Sequence, residues 1–214
     1  MRGLARPHRS LLPRSPPLQG PIDRRHLGRP FGSPLLPVVR QPPKNSDQTL
    51  PPTIPRRASM LRVVFICSGN ICRSPMAHAI FEHEASRRRI PHIAVSMGTL
   101  GLVNQPAADE AISSCRDIGV ELSYHQSQPI STSLLRHATH IFIMEPQHAE
   151  ALKKHGIDDA RVQYLGAWDP VDPRPEIDDP VEQPRAVFDA CRQRIERAID
   201  SFLRAQAPTA APTP

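Results

Sequence analysis

The 214 residues are enough for one domain with a proper core and some chain to spare. The net charge of +6 is unevenly placed: residues 1–59 hold 11 of the 27 Lys and Arg but 2 of the 21 Asp and Glu, leaving 16 against 19 in residues 60–214. The positive balance therefore belongs to the first stretch and is no argument that the remainder binds nucleic acid.

Residues 1–59 also hold 13 of the 26 prolines. Pairs such as Pro16-Pro17, Pro42-Pro43 and Pro51-Pro52 break helices and are excluded from central strands. No apolar periodicity runs through the stretch, so it is expected to be a disordered Pro/Arg-rich extension. It lacks the unbroken apolar run of a secretory signal, and Arg62 interrupts any twin-arginine reading of Arg56-Arg57. The Arg-rich, acid-poor composition suits an organellar transit peptide, although the proline density opposes an amphipathic helix. A polybasic arm that binds a partner and a start site upstream of a native Met60 are the other readings.

From Met60 the pattern changes. Residues 61–66 form a nearly continuous apolar run, as in a strand covered on both faces. Pro75 suits the first turn of a helix reaching about residue 88, with Met76, Ile80 and Phe81 inward. A second strand is predicted at 92–95, ending at Ser96-Met97-Gly98. A helix follows over about 106–118, with Ala107, Ala111, Ile112 and Cys115 on one face and Gly119 as its stop. Residues 131–137 read as a short helix, 141–144 as a third buried strand, 146–155 as a helix ended by Gly156, and 161–165 as a fourth strand. After an acidic, proline-rich loop, Val187, Phe188, Cys191, Ile195, Ile199, Phe202 and Leu203 mark a long final helix. The last residues, from about 207, are expected to fray. Alternating strands and helices imply an α/β fold built on a doubly wound parallel sheet, with the active loop at the C-terminal end of a strand.

The chemistry concentrates where the first strand meets the first helix, in Cys67-Ser68-Gly69-Asn70-Ile71-Cys72-Arg73-Ser74-Pro75. A cysteine beside a helix N-terminus and an arginine has its thiolate favoured by the dipole, by loop N–H groups and by the cation. Arg73 offers a planar fork that matches two phosphate oxygens. Gly69 lets the backbone approach a ligand, and Ser74 can hydrogen-bond the sulfur. Together these parts describe covalent phosphoryl transfer to Cys67. The bland alternative is a buried strand-end cysteine and a surface arginine.

The run VVFICSGNICRSPMAHAIF resembles the low-molecular-weight protein tyrosine phosphatase family, whose loop reads C-x-G-N-x-C-R-S, and the resemblance extends over about residues 61–203. It implies a phosphatase domain at 60–206, a four-stranded parallel sheet flanked by helices, and a two-step reaction through a phosphocysteine on Cys67 with Arg73 holding the transferred group. It implies that Asn70 holds the loop's unusual backbone shape, supported by Ser96 and His125. Ser68, Gly69 and Ile71 would face the substrate.

The reaction also requires a carboxylic acid to protonate the leaving oxygen. Three Asp-Pro pairs, at Asp169, Asp172 and Asp179, present an aspartate from extended backbone, and the residues alone do not choose among them. The resemblance does: the family's acid lies in an Asp-Pro just before the last helix, where Asp179 stands. Asp169, Asp172 and Asp178 then read as solvated loop charges or turn formers.

Phosphotyrosine-preferring members often carry aromatics after that Asp-Pro. Here Val181 and Glu182 follow, and the opposite wall around Leu100 and Leu102 is also aliphatic, leaving Tyr124 and Trp168 as the aromatic candidates. Ile71 resembles the tyrosine-specific branch, whereas arginine phosphatases of the family tend to have threonine there. Cys72 reads as a redox guard able to trap oxidised Cys67 in a reversible disulfide, with a small loop filler as the plain alternative. Cys115 and Cys191 read as packed hydrophobes. The ten histidines apart from His125 are expected to be scattered and exposed.

The leading expectation is a protein tyrosine phosphatase acting on phosphotyrosine proteins or small aryl phosphates. The mechanism would need no metal or other cofactor, and the four cysteines lack zinc-ligand spacing. A thiolate nucleophile suits a reducing cytoplasm without membrane attachment. The alternatives are an arginine phosphatase or arsenate reductase on the same fold, and a non-catalytic phosphate-binding module.

Overall fold

The computed structural model describes residues 60–158 and 160–206; the expectations for 1–59 and from 207 onward lie outside the described residues. Strand β1, Leu61–Cys67, is the centre of the architecture. Side chains alternate between the faces of a strand, so Leu61, Val63, Phe65 and Cys67 enter one apolar cluster while Val64 and Ile66 enter another. Helices α1 (Arg73–Arg87), α2 (Asp109–Arg116) and α5 (Arg185–Gln206) supply the first cluster. Helices α3 (Thr132–His137) and α4 (Pro146–Lys153) cover the second through Leu135 and Leu152. Both faces are thus buried, which explains the continuous apolar run.

Strands β2 (His92–Gly98), β3 (His140–Ile143) and β4 (Val162–Tyr164) complete a four-stranded sheet in the order β2-β1-β3-β4. Every pairing is parallel. The chain leaves β1 for a neighbour on one side, then crosses to the other side for β3. That reversal opens a crevice at the C-terminal end of β1, the place where ligands bind in open α/β sheets, and Cys67 is the last residue of β1.

Several boundaries differ from the sequence-based expectation. Strand β2 continues to Gly98 because its register with β1 holds through Cys67↔Gly98. Helix α1 begins at Arg73, so Pro75 sits in the first turn as expected, where its missing N–H costs nothing. Helix α2 starts later, since Ala108 is extended, with ψ 141°, and its N–H donates to the Ile71 carbonyl at 2.9 Å. In α5, Phe188, Cys191, Ile195, Ile199, Phe202 and Leu203 are buried at helical spacing, but Val187 is exposed. No helix among the described residues is long and apolar enough to cross a membrane.

Candidate active site

The loop between β1 and α1 is held by its asparagine. Asn70 has φ +56°, in the left-handed region that asparagine tolerates better than most residues. Its Nδ2 donates to Ser74 Oγ and to Ser96 Oγ, both at 2.9 Å, and its Oδ1 accepts from Gln128 N at 3.0 Å. Its carbonyl accepts from His125 Nε2 at 2.7 Å. Burial lowers the pKa of His125, so the ring holds the loop as a neutral donor. On the β2 side Leu100 N–H donates to the Ser68 carbonyl at 3.0 Å. Gly98 is required there: a Cβ would lie 2.9 Å from both the Ser68 carbonyl oxygen and Asn70 Cβ.

Two donors converge on the cysteine sulfur. Asn70 N–H reaches Cys67 Sγ at 3.2 Å, and Ser74 Oγ lies 3.0 Å away. Because Ser74 Oγ already accepts from Asn70, its own proton is free to point at the sulfur. Cys72 caps α1 without a side-chain hydrogen bond to the helix, leaving the first backbone N–H groups for an anion.

Arg73 is almost fully buried, at 1% exposure. Its Nη1 donates to Glu145 Oε2 at 2.6 Å and to the Ile177 carbonyl at 2.9 Å, and its Nη2 donates to Asp179 Oδ2. Burial works against its charge, but Asp179, Glu145 and Cys67 outweigh that and hold the guanidinium firmly protonated. The buried Nε has no partner among the described residues.

Among the three Asp-Pro aspartates, Asp179 is the one that meets Arg73. Val181 N–H fixes its other oxygen at 3.2 Å. Asp169 is not a solvated charge. It accepts Val171 N–H in a turn, but it is fully buried and paired with Arg197 at 2.7 and 2.9 Å. Burial alone would raise its pKa; Arg197 and Val171 N–H more than offset this. Asp172 faces Arg174 and Arg194, and Asp178 is solvated, at 78% exposure. The whole loop is braced from α5, where Arg194 donates to the carbonyls of Asp172, Arg174 and Glu176.

Cys67, Ser68, Gly69, Ile71 and Cys72 form the floor of a cleft of about 130 Å³, with Leu100, Leu102, Asp179 and Val181 around it. A larger cleft of about 400 Å³ beside His78 and Tyr124 lacks any such nucleophile. The walls over Cys67 are aliphatic. Tyr124 stands 89% exposed beside that other cleft, and Trp168 packs edge-on against Phe202, so neither lines the Cys67 cleft.

Sequence reasoning missed Gln128, Glu145 and His148. Against the expectation that histidines other than His125 are exposed, His148 is fully buried and its Nε2 lies 3.0 Å from Ser68 Oγ. The available signal was positional: Glu145 and His148 open the helix after β3, at the same sheet end as Cys67. Cys115 and Cys191 are buried in the core, where burial pushes both thiols up to about 12. No cluster of three or more metal-ligating side chains occurs among the described residues.

Comparison with known proteins agrees with this geometry. Residues 62–209 match the family model described as low molecular weight phosphotyrosine protein phosphatase. Among curated proteins, Wzb of Escherichia coli, a low molecular weight protein-tyrosine-phosphatase, is 32% identical over 145 residues, spanning 67% of this chain and 93% of its own length. The low molecular weight protein-tyrosine-phosphatase of Streptomyces coelicolor is 30% identical over 154 residues, covering 67% of this chain and 92% of its own. Among solved structures, Wzb of Vibrio vulnificus in complex with benzylphosphonate superposes with a TM-score of 0.60 at 25% identity, covering 69% of this chain and 99% of that one. The YwlE arginine phosphatase from Geobacillus stearothermophilus superposes at 0.58 with 26% identity, covering 68% and 92%. From loop, sheet order and sequence alike, the chain belongs to the low molecular weight phosphotyrosine protein phosphatase family.

Proposed function

We propose that the protein removes phosphate from phosphotyrosine side chains, or from small aryl phosphates, by way of a phosphocysteine on Cys67. The observation that carries the reading is the buried Arg73 with an unpartnered Nε, set on the same loop as a sulfur ringed by donors. A buried guanidinium N–H without an acceptor is costly, and a phosphoryl oxygen is the acceptor that suits it.

In the first step the Cys67 thiolate attacks phosphorus, accepting hydrogen bonds from Asn70 N–H and Ser74 Oγ–H. The P–O bond to the leaving group breaks, and that oxygen takes its proton from the Asp179 carboxyl. Arg73 and the loop N–H groups hold the three transferred oxygens. The dianion takes Asp179's place on Nη2; the displaced carboxylate takes up a proton from solvent and turns as the acid toward the leaving oxygen, while Glu145 keeps the other side of the fork in place. In the second step the Asp179 carboxylate takes a proton from water, whose oxygen attacks phosphorus, releasing phosphate and regenerating the thiolate.

Cys72 lines the same cleft as a free thiol. Burial and nearby Asp179 push it up to about 12, so it does not compete as a nucleophile. Its proposed part is protective: a sulfenic acid on Cys67 condenses with the Cys72 thiol, giving a disulfide and water. A thiol-dependent reaction suits a reducing compartment, and the cytoplasm is the proposed location.

A second reading, hydrolysis of phosphoarginine, is favoured by the aliphatic walls at Leu100, Leu102 and Val181 and opposed by Ile71. Release of phosphate from an aryl phosphate, a phosphotyrosine peptide and a phosphoarginine peptide tests both. Cys67→Ser should abolish turnover. Asp179→Asn should slow aryl phosphate hydrolysis by roughly 10²–10⁴, and less for good leaving groups. A small uniform loss would remove Asp179 from the acid role, and preference for phosphoarginine would replace the first reading with the second.

A further inference from the structure

The phosphate-binding loop is held from two sides, and the family motif accounts for one. Asn70, Ser96, Gln128 and His125 hold the β2 side. On the β3 side the contact comes from the first turn of α4. There His148 is fully buried, and its Nδ1 accepts the backbone N–H groups of Met144 at 3.3 Å and Glu145 at 3.1 Å. With Nδ1 committed as an acceptor, a neutral ring carries its proton on Nε2. That proton points at Ser68 Oγ, 3.0 Å away. The charged groups facing the ring are Arg73 on α1 and Glu145 at the start of its own helix; burial first, and then Arg73, keep it neutral against the opposing pull of Glu145.

We infer that His148 is a positioning residue for the phosphoryl-transfer site, locking the first turn of the loop through Ser68 so that the loop N–H groups converge on the transferred oxygens. The inference rests on the reading of this loop as the phosphate site. Ser68 directly follows the nucleophile and lines the cleft, so slack there moves the donors that surround the anion. The first turn of α4 then grips both ends of the loop. His148 holds Ser68, and Glu145, three residues earlier, holds Arg73.

The test pairs inorganic phosphate as a competitive inhibitor with turnover of an aryl phosphate, in the full chain. Ser68→Ala removes the acceptor. His148→Asn keeps an acceptor where Nδ1 stood, preserving the turn of α4, but has no donor where Nε2 stood. Each should weaken phosphate binding roughly fivefold to tenfold, the value of one buried hydrogen bond. The double variant should be no worse than the weaker single, since both remove the same contact. Ser68→Thr, which keeps the hydroxyl, should bind phosphate more tightly than Ser68→Ala. Phosphate affinity unchanged in Ser68→Ala, or losses that multiply in the double variant, would overturn the inference. If His148→Asn does not fold, the contrast of Ser68→Ala with Ser68→Thr decides. A wild type without turnover would sink the phosphatase reading itself; an active wild type with an indifferent Ser68→Ala would sink this inference alone.

Discussion

Asn70 shows how one residue can fix a loop. Both amide protons, the amide oxygen, the backbone N–H and the backbone carbonyl all have partners, drawn from Ser74, Ser96, Gln128, Cys67 and His125. His148 is the second such residue, and its burial has a thermodynamic signature. Burial first, with Arg73 adding and Glu145 opposing, lowers its pKa from 6.5 to about 4. As pH falls through 6.5 the unfolded chain takes up this proton while the folded chain does not, so stability drops between 6.5 and about 4 and is unaffected above. The full loss is about 3 kcal/mol. Denaturant midpoints followed down that range should show this slope in wild type and lack its histidine share in His148→Asn. At this scale the loop's chemistry was legible from Cys67 to Ser74, because its residues are adjacent in the chain. His148 and Glu145 were not. They stand 80 and 72 positions from their partners Ser68 and Arg73, and in sequence they read as an ordinary helix start.

Among the elements, the end of β2 matters most to the loop. Strand β2 pairs with β1 through Gly98 opposite Cys67, which puts its backbone against the loop. Gly98→Ala would push a methyl to within 2.9 Å of backbone and side-chain atoms of Ser68 and Asn70. Neither is the free end of a flexible side chain. The substitution should cost about 1–3 kcal/mol, read as a shift in denaturant midpoint at constant slope, and it should lower turnover because the strain falls on the loop. A variant as active and stable as wild type would show that the approach is looser than described. Element type was legible from apolar runs and helical spacing; element ends were not. Pairing carried β2 to Gly98, and the extended backbone of Ala108, tied to Ile71, moved the start of α2. The choice of Asp179 was equally out of reach of local pattern. All three Asp-Pro pairs present extended aspartates, and only the packing of residues 169–180 decides which one reaches Arg73.

For the molecule as a whole, Phe202 joins the parts. Its ring lies 4.9 Å from those of Phe142 and His140, 5.2 Å from Trp168 and 6.4 Å from Phe81. It thereby ties α5 to β3, to the turn after β4 and to α1. Phe202→Ala should cost about 3–5 kcal/mol, measured by equilibrium unfolding, with turnover retained wherever the chain stays folded. A cost under about 1 kcal/mol would place the centre of the core elsewhere. The parallel sheet was legible because a strand buried on both faces leaves a continuous apolar signature; the strand order, with its switch at β1, came only with the pairing.

The bracing of residues 172–176 by Arg194 separates two tasks across the molecule. The sulfur is aimed by the strand and loop beneath it. Residues 172–176, which lead to Asp179, are instead held at three carbonyls by one guanidinium 15 positions downstream of it, with Met144 and Arg73 holding Ile177. With Asp179 in its proposed role as the acid, drift in the sequence around Arg194 would be felt less as a weaker grip on phosphate than as a changed tolerance for poor leaving groups. A lineage could retune which esters it cleaves from the back of a helix, leaving the nucleophile's surroundings untouched.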